Sequence, residues 1–185
     1  MKKLTLLTHN KGKLAEANEI AKRYGIELSM PQKLEKLEIQ SDLLSDVSEF
    51  AARHAYRYIK KPLVVDDSGL FVKALGGFPG VYSAYAVPTL GDKGILKLMN
   101  GVKDRSAYFE CSVSFFDGRS TKSFSGKVHG SITKREKGSH GFGFDPIFSP
   151  NGYKGKTLAE VDVAQKNKVS HRGKAFSAFF RWYSR

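Results

Sequence analysis

Asp66 and Asp67 stand side by side after the β-branched run Leu63-Val64-Val65, and Ser68 and Gly69 follow them. Two carboxylates at the end of a buried strand are costly unless something pairs with them. A hard divalent cation such as Mg2+ is one partner, because it takes oxygen ligands and keeps several waters. One carboxylate could then ligate the metal while the other orients or deprotonates a water. The competing reading is an Asx turn at a strand end, in which Asp67 and Ser68 satisfy backbone amides.

A second group of polar residues, Thr8-His9-Asn10-Lys11-Gly12-Lys13, lies between an apolar run and a helical stripe. A strand that passes through a polar loop into a helix N-terminus aims free amides and a positive dipole end at that loop. Such a loop can hold an anion, with a hydroxyl from Thr8, an amide N–H from Asn10 and the ammonium of Lys13. The pattern G-x-x-x-x-G-K-[ST] is absent, so this is not a Walker A loop. An ordinary capped helix start competes with the anion reading.

The third group lies toward the C-terminus. Phe142 between Gly141 and Gly143 could turn its face to a flat ligand, as in base stacking; a Phe packed beneath a turn is the alternative. No dinucleotide fingerprint is present, because the third glycine is missing and no helical pattern follows. Ser170 is a candidate N-cap, which puts His171 and Arg172 in a first turn where the dipole disfavours cations. A nearby anion would explain them.

The elements that must position these groups follow from periodicity. Residues 3–7 and 26–30 read as strands, and 34–39 as a short third. The stripe Leu14, Ala17, Ala21, Tyr24 predicts a helix ending at Gly25. Asp46 and Glu49 suggest a capping box for a helix reaching about Lys60, with Val47, Phe50, Ala51, His54 and Tyr58 on its buried stripe. His54 is read there as packing. Pro62 closes that helix before the central strand. Residues 75–83 are a Gly/Pro loop where backbone approaches something closely. Residues 90–99 read as a helix capped by Asn100-Gly101. Residues 106–133 form a hairpin with Phe109, Cys111, Val113 and Phe115 on one face. Asp117-Gly118 is its type I′ turn signal, and the glycines of the return strand suggest bulges. A last helix over 169–183 buries Ala175, Phe176, Phe179, Phe180 and Tyr183.

The chain of 185 residues, 41% hydrophobic, fits a single domain over 1–185. One cysteine excludes an internal disulfide framework. No apolar run of about 18 residues is present, and 4–7 is too short for a signal h-region, so a soluble cytoplasmic protein away from membranes is expected. The net charge is +13, and from residue 93 onward 18 Lys+Arg face only 7 Asp+Glu. That asymmetry points to an anionic partner, either nucleic acid or a phosphorylated small molecule. A solvated basic surface is the competing reading.

Taken together, the motifs resemble one family. Thr8, Asn10, Lys13 and Glu16 form T-x-N-x-x-K-x-x-E, similar to the opening of the inosine triphosphate pyrophosphatases. Asp66-Asp67-Ser68-Gly69-Leu70 is similar to their acidic signature. Further matches follow in family order along nearly the whole chain: 74–83, Phe142-Gly143-Phe144-Asp145-Pro146, Thr157-Leu158-Ala159-Glu160, Lys166, and Val169-Ser170-His171-Arg172.

The resemblance implies an α/β fold, a long twisted mixed β-sheet flanked by helices, with two lobes around a central nucleotide cleft. It implies hydrolysis of ITP, dITP or XTP to the monophosphate and pyrophosphate, with Mg2+. By the same resemblance Asp67 is the general base and a metal ligand, and Glu38 is the other metal ligand. Thr8, His9, Asn10, Lys11, Gly12 and Lys13 would hold the triphosphate, and Ser68 would touch the nucleotide. Phe142, Gly143, Phe144 and Asp145 would stack on and read the base, with Lys166, His171 and Arg172 closing around it. A homodimer is implied, and no stable nucleic-acid complex. The sequence departs from the pattern in three places. His9 replaces a small residue, Ala51 stands where a lysine is common, and Phe144 replaces Tyr or Trp. The rivals are a non-catalytic nucleic-acid-binding module and a Mg2+-dependent phosphatase or nuclease.

Overall fold

The computed structural model describes residues 2–185. In chain order the elements are β1 (Lys2–Leu7), α1 (Lys11–Ala21), β2 (Ile26–Ser29), α2 (Leu44–Ile59), β3 (Leu63–Val72), β4 (Pro79–Gly80) and α3 (Ser83–Thr89). Then come α4 (Gly91–Leu98), β5 (Ser106–Phe116), β6 (Thr121–Ile132), β7 (Phe148–Pro150), α5 (Val163–Val169) and α6 (His171–Tyr183). Seven strands make one sheet in the order β2-β1-β3-β5-β6-β7, with β4 also on β3. β1 runs parallel to β2 and β3, and the other pairs are antiparallel. This is the mixed α/β sheet flanked by helices that the sequence led us to expect.

Alternation along β3 creates the site. Val64 packs with Ile20, Val113 and Phe176 beneath α1 and α6. Leu70 and Val72, on the same face by their even spacing, join a separate cluster with Met99, Phe109 and Phe148. Asp66 and Ser68 fall between these two cores. Leu63 and Val65 face the other way, against Ala51, Ala52 and Ala55 of α2. The edge of β3 is interrupted at the same place. β1 pairs with residues 63–65 and β4 with 70–71. Among the described residues, no strand pairs with 66–69 on that edge, and a notch opens there.

Several expectations are corrected. Ser68 and Gly69 do not turn, because β3 stays in register with β5 through Val72. Gly69 is needed for another reason: a Cβ there would lie 2.2 Å from the Gly80 carbonyl oxygen of β4. Residues 34–39 form no strand but part of an irregular strap between β2 and α2. Helix α2 begins at Leu44, so Asp46 lies in its first turn and accepts a hydrogen bond from Ser41 Oγ at 2.8 Å instead of forming a capping box. Small residues, Ser48, Ala51, Ala52 and Ala55, bring α2 close to the sheet. Phe50 instead stacks on His54, and His54 packs tilted against Tyr58, along its outer side.

The hairpin loop takes four residues, because Phe116 pairs with Thr121. Asp117 Oδ1 accepts hydrogen bonds from the amides of Arg119 and Ser120, both at 2.8 Å. The β6 glycines make no bulge, since the register with β5 is unbroken. Gly126 serves close approach: its Cβ would lie 2.2 Å from the His171 carbonyl oxygen of α6. The alternation of β5 is as expected, with Cys111, Val113 and Phe115 in one core. Helices α3, with Pro88 inside it, and α5 were not foreseen. Ser170 caps α6 as expected, accepting a hydrogen bond from the Gly173 amide at 3.0 Å. Among the described residues, no helix is long and apolar enough to cross a membrane.

Candidate active site

A cleft of about 740 Å³ opens at the notch in β3. Thr8, His9, Asn10 and Lys13 line one wall, Glu35, Lys36 and Glu38 of the strap another, and Asp66, Asp67 and Ser68 the floor. Phe142, Gly143, Phe144, Asp145, His171 and Arg172 close the far side, with Phe109 and α3 residues Ser83, Ala84 and Val87.

The β1–α1 turn is built by its own side chains. Asn10 Oδ1 accepts a hydrogen bond from the Lys13 amide at 3.1 Å, and Thr8 Oγ1 accepts one from the Asn10 amide at 3.1 Å. Asn10 therefore caps α1, and both the capping and the anion readings apply to one loop. Lys11 is exposed outside the cleft lining, and His9 is exposed at its rim.

Beneath this turn lies a buried chain of charges. Asp66 Oδ2 meets Lys13 Nζ at 3.1 Å and Arg172 Nε at 3.2 Å. Arg172 Nη1 lies 2.7 Å from Glu16 Oε2, and its Nη2 donates to Ser68 Oγ at 2.8 Å. Glu16 Oε1 takes Lys166 Nζ at 2.6 Å, and the same ammonium also pairs with Asp145. Burial pushes the Asp66 carboxyl up, but Lys13, Arg172 and Lys36 outweigh it and hold the group at about 2. Burial likewise opposes ionisation of Glu16, and Arg172 and Lys166 overcome it. Lys166 thus stands behind the cleft wall, neutralised by Glu16 and Asp145, rather than on the lining where the sequence had put it.

Asp67 points away from this chain of charges. Its Oδ1 meets Lys36 Nζ at 2.7 Å, and Glu38 Oε1 meets the same nitrogen at 2.7 Å. Burial pushes the Asp67 carboxyl up, and Lys36 and Lys13 oppose that shift without cancelling it. Two adjacent carboxylates are thereby driven in opposite directions, the arrangement that separates a fixed charge from a proton acceptor.

His171 is 2% exposed. Burial first, then Arg172, Lys166 and Lys13, push its imidazole well below 6.5. It is a neutral ring stacked on Phe109 at 4.6 Å, not the second cation that its place in the first turn suggested. Phe142 lies over Gly12, where a Cβ would come 2.5 Å from the ring, and that contact explains the glycine. Lys166 and Arg172 approach the same ring at 4.7 and 5.3 Å, within cation–π range. Phe144 is a buried core residue that also reaches the cleft lining. Asp145 Oδ2 accepts a hydrogen bond from the Phe142 amide at 2.8 Å and so shapes the turn that carries the ring.

Sequence reasoning assigned no role to Glu16, although it stands in the quoted T-x-N-x-x-K-x-x-E pattern. Phe109 was read only as part of an apolar hairpin face, and Lys36 was passed over, since nothing in its neighbours marks it. Among the described residues, no group of three or more His, Cys, Asp or Glu side chains gathers as a metal site. Glu38 and Asp67 nevertheless converge on one ammonium. Two carboxylates completed by phosphate and water oxygens suit Mg2+ better than an all-protein cage does.

Comparison with known proteins agrees with this picture. The model of the Ham1 family matches residues 4–182. A dITP/XTP pyrophosphatase of Saccharolobus solfataricus is 51% identical over 177 residues, which is 96% of this chain and 91% of that protein. A dITP/XTP pyrophosphatase of Pyrococcus horikoshii is 46% identical, covering 97% of this chain and 96% of its own length. Among solved structures, a HAM1 protein from Coxiella burnetii superposes with a TM-score of 0.85 at 28% identity, over 100% of this chain and 99% of that one. By sequence and by fold, this chain belongs to the Ham1 family.

Proposed function

We propose that this chain hydrolyses non-standard purine nucleoside triphosphates, ITP, dITP and XTP, to the nucleoside monophosphate and pyrophosphate. The observation that carries this reading is the single cleft. It sets amide and ammonium donors of the β1–α1 turn, the split carboxylate pair and an aromatic wall around one space. Relatives named dITP/XTP pyrophosphatase over nearly the whole chain support it.

The triphosphate would lie against the N-terminus of α1, where Asn10 and Lys13 meet its charge. Asp66 keeps Lys13 and Arg172 aimed at that place. Asp67 orients the attacking water and accepts its proton. The water attacks the α-phosphorus, the α–β anhydride bond breaks, and pyrophosphate leaves with the bonding electrons. Positioning and charge neutralisation dominate such a step. Glu38 and Asp67 would hold Mg2+, which neutralises phosphate charge and acidifies water when bound. Phe142 would stack on the base. A neutral His171 offers one N–H to a 6-oxo group. A 6-amino group would leave such a donor unpaired, at about 1–3 kcal/mol per group.

The working unit is a homodimer in the cytoplasm, and the exposed Phe78, Tyr82 and Tyr85 beside the cleft are a surface that a second copy could cover. Mass in solution reads that point. No stable nucleic-acid complex belongs to this reading. The test is a panel of nucleoside triphosphates with Mg2+, read by pyrophosphate release. ITP, dITP and XTP should far outrun ATP and dATP. Orthophosphate release, or equal turnover of ATP, would overturn the reading.

A further inference from the structure

The strap between β2 and α2 has no regular structure, yet one of its lysines is drawn inward. The Lys36 side chain is 12% exposed, whereas Lys33, three residues earlier, is exposed. Lys36 Nζ lies 2.7 Å from Asp67 Oδ1, 2.7 Å from Glu38 Oε1 and 3.3 Å from the Asp66 carbonyl oxygen. An ammonium has three donors and no acceptor, so these three oxygens satisfy it completely. The carbonyl is within reach because the edge of β3 is unpaired at residues 66–69 among the described residues.

The two carboxylate oxygens among them are hard, anionic donors of the kind a divalent cation would take. Two cations cannot share one set of carboxylate oxygens at contact distance. We propose that Lys36 is a tethered cation that competes with the divalent metal for Asp67 and Glu38, so that the metal binds only as the ammonium leaves. This rests on the reading of those two carboxylates as metal ligands. Lys36 also lines the cleft, so a triphosphate bound there offers the displaced ammonium new oxygens. Metal and nucleotide should therefore bind with positive coupling, each easing the entry of the other. In the absence of both, Lys36 prevents two carboxylates from facing each other uncompensated, and it docks the strap over the cleft.

The test is calorimetric titration with Mn2+, without nucleotide, of the wild type, Lys36→Met, Lys36→Gln and Lys33→Met. Melting curves establish that each variant is folded. Both Lys36 variants should bind Mn2+ more tightly than the wild type, by about tenfold, within the usual range of coupling between sites. Lys33→Met removes the same charge from a solvated position and should stay within about twofold of the wild type, since solvent and salt screen it. Unchanged affinity in the Lys36 variants, or an equal gain in Lys33→Met, overturns the competition. Asp67→Asn separates this claim from the one beneath it. If Asp67→Asn loses Mn2+ while Lys36→Met gains nothing, only the competition falls. If Asp67→Asn binds Mn2+ as the wild type does, the ligand assignment falls and the competition with it.

Discussion

Glu16 on α1 and Lys166 on α5 meet as a buried ion pair, with Lys166 Nζ 2.6 Å from Glu16 Oε1, although they lie far apart in sequence. The other oxygen of Glu16 holds Arg172 at 2.7 Å. One carboxylate therefore joins α1 to the two C-terminal helices and aims Arg172 at Asp66 and Ser68. Glu16→Gln should cost about 3–5 kcal/mol of stability, because it leaves two buried cations short of a partner. Denaturant unfolding measures this, and a loss below about 1 kcal/mol would contradict the anchoring role.

Phe142 is the wall against which a base would stack. Phe142→Ala should raise KM for ITP by about 1–3 kcal/mol equivalent, with a smaller effect on kcat, since stacking acts on the ground state and the transition state alike. Steady-state kinetics on ITP reads the split. An unchanged KM would remove the ring from substrate binding.

Acid stability follows from Asp66. Its pKa is about 2 in the folded chain against 3.8 in the unfolded one. Between those values the unfolded state binds more protons, so the stabilisation is present above about pH 4 and lost as pH falls toward 2. The shift corresponds to about 2 kcal/mol. Glu16, also lowered, acts in the same direction. Asp66→Asn should flatten the acid limb of the stability curve by about that amount. Asp67, whose shift has the opposite sign, is retained in both proteins. Unfolding free energies measured from pH 5 down to pH 2 test this, and identical slopes would contradict it.

Local patterns in the sequence reveal the frame, but tertiary contacts decide the rest. β1, α1 and the β5–β6 hairpin were legible because apolar spacing sets their faces, and Ser170 because a cap is a short-range device. Ser68-Gly69 looks like a turn until β4 is laid across Gly69. Phe50, His54 and Tyr58 look like a buried stripe, but alanines and Ser48 take the sheet-facing side. The cations of the C-terminal helices were visible, and their neutralisation by Glu16 was not, because the partner comes from the other end of the chain. Lys36 could not be singled out among the charged residues of the strap. Only the fold shows that its ammonium lies between Glu38 and Asp67.

The central claim is that Asp67 drives water onto a purine triphosphate to release pyrophosphate. Its most direct test compares dITP turnover by the wild type and by Asp67→Asn at one Mg2+ concentration, with both products identified. The account predicts equimolar pyrophosphate and dIMP from the wild type, and a loss of about 100- to 10 000-fold in a folded Asp67→Asn protein. Orthophosphate as the product, or an Asp67→Asn protein within a few-fold of wild type, would contradict it.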